Sequence, residues 1–500
     1  MSKIRLYPNG KTLLILLIIL VIGSFLRLWG IEYQSLWNDE LSTWARSNQQ
    51  SVSDVINLWV KPDIHPPGYQ VLMYYIFNLF GYSELSLRLP SAIAGILSIF
   101  VIYLLGAKMF NNKTGVFAAA LLSVFWCPIE YSQEARSYSL LLLFTILSMF
   151  FWYDIALHFK ENNKIKIKKL IAYILSATIC AYLHYFGLLM VVLQGFGLIF
   201  YTGFKKKKLL YYFILYFSLF LLYLPWIPSM LGQFGRGPDY ITPPQYNDFI
   251  FFFEFLFNWS ENITLFILVI YIFLFVITII NIVKEKTYKS PGKIISMPEI
   301  LLGLWLLLPF IITFIISKLS VPVFTLKNLI ISLPAAYLLI AYAISKLPVH
   351  NYIQYVIVAG FSLVLIYHLI FKLEYYNKPK KEQFRESTQY FIEKMKKYPQ
   401  SKAICYTHNY QYFNFYLEKY NCPFRFTVND IYGGQNSDTL RIDSIVANTN
   451  SEYLLYIWGH INPEKEFLNY LNENHDCIEA CSFIGCRVEV YDLTPKKHKI

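Results

Sequence analysis

The sequence predicts a polytopic α-helical membrane protein with a small C-terminal α/β domain, and three observations carry that prediction. Its 500 residues are 56% hydrophobic and only 15% charged, a balance with too little polar surface for an ordinary soluble fold. The apolar residues gather in runs long enough to cross a bilayer, about 17 to 25 residues each. Basic residues stand in short clusters between those runs, as in KIKIKK from Lys164 and KKKK from Lys205, the pattern of cytoplasmic loops. The net charge of +12 is therefore a signature of topology, and no nucleic-acid partner is expected.

Taken in order, the first run, LLILLIILVIGSFLRLWG, lacks a small-residue cleavage site and reads as a signal anchor and first membrane helix. With Lys3, Arg5 and Lys11 inside, residues 32–87 form a first external loop. A second helix from about Arg88 returns inward to NNKT at Asn111. A third exits near Pro128 and makes PIEYSQEARSY, around residues 128–137, a short external loop. The fourth reaches HFKENNKIKIKK, the fifth exits at His184, the sixth returns to FKKKK and the seventh exits near Trp226. Residues 229–260 are then external, the eighth helix returns to KEKTYKSPGK, and three spans starting near Met297, Asn328 and Tyr352 leave the C-terminus outside. About eleven spans result, in an integral membrane protein with a cytoplasmic N-terminus, most simply of a bacterial inner membrane.

HPPGYQVLMYYIFNLFGY is apolar enough to suggest another span, but counting it would invert every later loop. Its Tyr and Phe content suits a helix lying in the outer interface, and the prolines after His65 suit a helix start.

Past the transmembrane module, residues 1–371, the composition turns polar, and residues 372–500 read as an extracytoplasmic domain. An amphipathic helix ending near KMKKYP precedes KAICYTH as a strand, NYQYFNFYLEKY as a helix, EYLLYIW as a strand, PEKEFLNYLNEN as a helix and CRVEVYDL as a closing strand. This alternation predicts a largely parallel sheet. Five of the seven cysteines fall here, an odd number that permits disulfides without specifying them.

The polar residues that invite a chemical role fall together on the outer face. Asp39 and Glu40, in SLWNDELSTW, lie where the chain leaves the membrane, and a carboxylate pair is costly there. Asp63 and His65 end the first loop, Glu130, Glu134 and Arg136 occupy the second, and His184 stands at the third turn. Taken singly, a histidine at a helix end is commonly structural, an arginine at a membrane boundary commonly snorkels, and Glu130 reads as a solvated loop residue. Their convergence on one side is the argument.

Read together, LRLWGIEYQSLWNDELST, the HPPGY segment continued through LRLPSAIAGILSIFVIYLLGAKMF, YSQEARSYSLLLL and LHYFGLL resemble the successive motifs of glycosyltransferase family 39. These are membrane glycosyltransferases of the GT-C type, relatives of protein O-mannosyltransferases and of the lipid A aminoarabinose transferase. The resemblance implies a GT-C-like fold and transfer of a hexosyl or pentosyl group from a polyprenyl-phosphate donor to an envelope lipid, glycan or protein. It assigns Asp39 as general base and places His65, Arg136 and His184 toward the donor and its phosphate. Lys327 stands where many relatives carry an Arg before a Tyr, and Asn328 replaces that Tyr. Tyr240, in GRGPDYITPP, stands near a position where a Trp is common. Glu40, Asp63, Glu134 and Tyr240 are substrate-contact or metal candidates.

The chemistry asks for such residues. An acceptor hydroxyl becomes a competent nucleophile when a carboxylate removes its proton, and a departing lipid phosphate needs cationic or hydrogen-bonding partners, for which Arg136, Lys327 and His184 are the candidates. One carboxylate suffices, because a phosphate leaves without protonation, and direct displacement inverts the anomeric centre. Glu134 with Asp63, His65 or His184 would supply oxygen and nitrogen ligands for a divalent metal, although no spacing requires one. Two other classes compete: a transporter or lipid flippase, which would place ionisable residues at mid-membrane depth on broken helices, and a noncatalytic scaffold whose external domain binds an envelope partner.

Overall fold

The computed structural model describes residues 9–160, 166–202, 206–236, 241–287, 297–430, 451–463 and 465–494. Tyr240 and parts of the orientation-setting basic stretches, including Lys205 and residues 288–296, lie outside the described residues. The chain divides into two compact units. The first comprises Met1–Trp29, Gln49–Gly81 and Ser86–Glu374, and the second Gly30–Asn48, Tyr82–Leu85 and Tyr375–Ile500.

The first unit is helical. Among the described residues, seven helical stretches are long and apolar enough to cross a membrane: Gly10–Leu28, Glu84–Met109, Tyr138–Phe159, Leu209–Gln233, Pro298–Leu319, Leu326–Ser345 and Asn351–Lys372. Two bent pairs bring the number to as many as nine, one broken by 63° between Asn112–Val124 and Trp126–Gln133, the other by 91° between Asp248–Leu256 and Glu261–Val276. The sequence count of about eleven also includes Ile167–Leu183 and Tyr185–Thr202, of 17 and 18 residues. The protein is an integral membrane protein.

Helices used below are α1 (Gly10–Leu28), α2 (Asn38–Ser47), α3 (Val52–Asp54), α4 (Gly68–Phe80), α5 (Glu84–Met109), α6 (Asn112–Val124), α7 (Trp126–Glu130), α8 (Tyr138–Lys160), α9 (Ile167–Leu183), α10 (Tyr185–Thr202), α11 (Lys206–Tyr223) and α12 (Ile227–Gln233). Local chemistry sets their ends. Asn9 and Asn111 stand in extended backbone before α1 and α6, and their side chains accept from the amides of Thr12 and Thr114. α4 has only 13 residues, about 20 Å at helical rise, too short to span. At one end of α5, Lys108 Nζ lies 3.3 Å from the Asp154 carboxylate of α8, which Lys169 of α9 approaches to 2.5 Å. This largely buried ion cluster ties three helices together, and removing its single carboxylate would strand two ammonium groups.

In the second unit, β1 (Ser401–Tyr406), β2 (Tyr453–Gly459), β3 (Asp476–Phe483) and β4 (Cys486–Asp492) form one sheet in the order β1-β2-β4-β3. Only β1 and β2 pair in parallel; β4 runs antiparallel to both neighbours. The expected largely parallel sheet is thus a mixed one. The reason is β3, which alternation alone does not reveal: its residues are mostly exposed or half-exposed, as on an edge strand, so no apolar face marks it. A two-residue turn at Ile484 and Gly485 joins it to β4, with Gly485 at φ +66°, where a side chain would be strained. The core packs Ile404, Leu454, Tyr456 and Tyr491 against Phe467 and Leu471 of the helix Lys465–Asn474. All seven cysteines are unpaired.

Gly30–Asn48 belongs to this unit by hydrogen bonding. Gln34 Oε1 accepts from the amides of Lys380 and Lys381, Ser35 Oγ from Arg385 N, and Tyr416 OH from Leu36 N at 2.8 Å. Arg385 donates to the carbonyls of Glu32 and Tyr33 and lies 3.6 Å from the fully buried carboxylate of Glu84, which Lys419 also meets. The unit therefore takes in part of the first loop as well as the C-terminal residues.

Candidate functional site

In the first unit, the segment carrying Glu134 and Arg136 is not a solvated loop. It folds as α7 followed by the 3-10 turn Tyr131–Gln133, and most of it is buried, Glu134 to 4% exposure. Two helix ends hold it by capping each other. Arg27, fully buried near the end of α1, donates from Nη1 and Nη2 to the carbonyls of Ser123 and Leu122 at 2.9 and 2.8 Å, the last turn of α6. Gln133 Nε2 returns the service, donating to the carbonyls of Arg27 and Trp29 at 3.1 and 2.8 Å. Unpaired helix-end carbonyls are costly away from water, so this reciprocal arrangement fixes the bend between α6 and α7.

The cluster this segment joins centres on His184. Its ring lies 5.7 Å from that of His65 and 6.1 Å from that of Tyr138. The Arg136 guanidinium and the Lys327 ammonium stand 6.0 and 5.9 Å from the Tyr138 ring. His65 Nδ1 meets Asp63 Oδ2 at 2.9 Å. Two glycines of the sequence motifs make the approach possible: a Cβ at Gly68 would fall 2.6 Å from the Tyr182 carbonyl oxygen, and one at Gly187 2.1 Å from that of Cys180. Only hydrogen fits there, so HPPG and HYFG bring the start of α4 and the α9–α10 turn together. From the other side Gln233 of α12 donates to the carbonyls of Val60 and Lys61, just before Asp63, and its Oε1 accepts from Tyr185 OH.

Cationic side chains gather at helix starts here, beside the buried Glu134. His65, Arg136 and His184 stand three, two and one residues before α4, α8 and α10 respectively, and Lys327 is the second residue of the 3-10 segment Leu326–Ser332. The positive dipole ends of α4, α8 and α10 add to the side-chain charges. His184 is 4% exposed, and burial, then the charges of His65, Arg136 and Lys327, hold its pKa well below the ordinary histidine range. It is a neutral imidazole. Its Nδ1 accepts from Phe186 N at 3.2 Å, so the proton is on Nε2, which is buried without a partner. A buried N–H left unbonded costs free energy, and an anion is the partner the surroundings favour. The same α8 and α10, with the segment 297–319, line an apolar cavity of about 460 Å³ walled by Met149, Trp152, Met190, Leu193 and Trp305.

A divalent metal does not fit this group well. Among the described residues no three His, Cys, Asp or Glu side chains are arranged to hold one, and the Asp63 carboxylate is engaged by His65.

Asp39 and Glu40 belong to the second unit, in the first turn of α2. Glu40 is fully buried and its carboxylate faces the Trp37 amide at 3.5 Å, closing the helix start, whereas Asp39 is half-exposed. Sequence reasoning missed several residues. Tyr138 is the ring on which both cations converge, but it is one of 41 tyrosines; its place two residues after Arg136 at a helix start was the only signal. Arg27, Gln233 and Glu382 carry no motif of their own.

Residues 64–227 match the family described as dolichyl-phosphate-mannose-protein mannosyltransferase. The fold is similar along its length to the crystal structure of ArnT from Cupriavidus metallidurans in the apo state, with TM-score 0.60 and 12% identity over 97% of this chain and 98% of that one. The same protein bound to undecaprenyl phosphate gives 0.56 and 12% identity over 98% and 99%. No curated protein sequence matches the chain significantly. The resemblance read from the motifs thus meets a family match over residues 64–227 and a GT-C-like fold along the chain.

Proposed function

We propose that the protein transfers a sugar from a polyprenyl-phosphate donor to a hydroxyl of an envelope lipid, glycan or protein, inverting the anomeric centre, on the extracytoplasmic face of a bacterial inner membrane. The observation that carries this reading is the partnerless Nε2–H of His184 amid Arg136, Lys327 and helix starts. A phosphate is the ligand such a group suits: guanidinium matches its oxygens bidentately, lysine adds a point charge, and helix starts supply amides. The apolar cavity between α8, α10 and 297–319 suits a prenyl chain.

In this reaction the acceptor oxygen forms a bond to the anomeric carbon as the bond from that carbon to the phosphate oxygen breaks. The acceptor proton passes to Asp39, and the electron pair of the broken bond leaves with the lipid phosphate, where Arg136, Lys327 and His184 stabilise it. Asp39 rather than Glu40 is the base, because Glu40 is engaged in closing its helix.

The test uses the full chain in proteoliposomes with a panel of undecaprenyl-phosphate-linked hexoses and pentoses and an envelope fraction as acceptor. Asp39→Asn is expected to lower transfer by about 10² to 10⁴ with insertion unchanged. Normal turnover by that variant would overturn Asp39 as base; translocation of labelled donor lipid without acceptor would favour a flippase.

A further inference from the structure

Asp39 does not stand alone in its unit. Glu382, in the linker before the helix Phe384–Lys397, reaches two partners with one carboxylate. Its Oε2 accepts from the amide of Asn38, the first residue of α2, at 2.8 Å, and its Oε1 meets His460 Nδ1 at 2.5 Å. The turn between β3 and β4 holds this carboxylate in place. A Cβ at Gly485 would fall 2.6 Å from Glu382 Cγ, and Gln383 bonds to Ile484 twice, through its own amide and through its side chain. His460 follows β2 with φ +70°, a left-handed conformation uncommon for histidine, and its amide donates to Gly485 O at 2.8 Å. Such strain persists only where surrounding structure fixes it. The ring of His408 stands 5.1 Å away.

We infer that Glu382 and His460 form a positioning pair for Asp39, the carboxylate fixing the start of its helix and the imidazole holding that carboxylate in place. This rests on Asp39 being the base. The charges around His460 agree with the geometry. The hydrogen bond from Glu382 raises its pKa above the ordinary value against the effect of burial, with Glu382 and Asp39 adding electrostatic support. His408 is pushed the other way, by burial and then by His460, and remains neutral. The buried Cys486 thiol beside Glu382 is raised to about 12 and carries no charge. His460 is thus the one group here whose protonation its neighbours favour, and the positive charge it then carries favours the ionised form of Asp39.

Two measurements on the full chain in nanodiscs test this. In histidine NMR titration, with the His460 signal assigned by H460N, E382Q and D39N should each lower the His460 pKa, E382Q the more. A pKa unmoved by D39N overturns the pairing. In the transfer assay above, H460N should lower kcat about tenfold with KM unchanged and move the acid limb of the kcat profile upward, while H460K restores most of both. A purely structural role predicts loss without a moved limb and no rescue by lysine. An active D39N would remove the base assignment itself, whereas an inactive D39N with an unmoved H460N profile would remove only the pairing.

Discussion

The group around His184 and the group around Glu382 are built by opposite means. The first gathers positive charge on helix starts, with His184 buried and neutral, Asp63 engaged by His65, and the buried Glu134 in the segment that carries Arg136. The second gathers carboxylates, Asp39, Glu40 and Glu382, around one helix start, beside a histidine whose pKa the hydrogen bond from Glu382 raises. A helix start can therefore serve two ends: left open among cations it invites an anionic ligand, and closed by a protein carboxylate it becomes a rigid mount.

That contrast can be broken most severely at the cations. Removing the guanidinium with Arg136→Ala should lower kcat by about 10² to 10³ in the transfer assay, and K327M somewhat less; equal activity in both variants would mean that the open helix starts bind no leaving group. Next in size is the frame that presents Arg136. Arg27→Met leaves the Leu122 and Ser123 carbonyls uncapped and should destabilise the first unit by about 3 kcal/mol, read as a lower thermal midpoint in detergent, with activity falling at temperatures where the protein remains folded. His184→Phe should cost about tenfold in kcat while preserving packing, and a variant at wild-type rate would show that its Nε2 has no ligand.

The smallest effects sharpen the other side. Because the His460 pKa is raised on folding, its bond to Glu382 contributes fully below the ordinary histidine value and fades as pH rises through the raised one. E382Q should therefore lower the thermal midpoint more at pH 6 than at pH 9. Glu479 provides the reverse case: hydrogen bonds from Lys394 and Lys397 bring its pKa down to about 2, so its contribution is full above the ordinary glutamate value and is lost as pH falls toward 2. E479Q should matter at pH 7 and not at pH 2, by less than about 1 kcal/mol for such a solvent-screened pair.

Much of this was legible in the chain because membrane physics writes long signals. Apolar runs and basic loops marked the helices, and the ordered motifs pointed to His65, Arg136, His184 and Lys327, which the fold brings together. Other parts were hidden for identifiable reasons. The stretch from Pro128 to Ser137 is rich in polar residues and so reads as a loop, yet Arg27 and Gln133 satisfy the helix ends and let it bury. β3 has no apolar face to announce it. Glu382 and His460 are 78 residues apart in sequence, and Gly485, which positions both, resembles any turn glycine. The two acids of SLWNDELSTW read alike in sequence, whereas burial and the Trp37 amide set Glu40 apart from Asp39.

The most direct test of the anion site is binding of undecaprenyl phosphate, compared with undecaprenol, to the full chain in nanodiscs and to the R136A/K327M double variant. The account predicts that the wild type prefers the phosphate at least about tenfold, equivalent to 1.4 kcal/mol, and that the double variant loses that preference while still binding undecaprenol. Equal binding of the two lipids by the wild type, or an undiminished phosphate preference in the double variant, would contradict it.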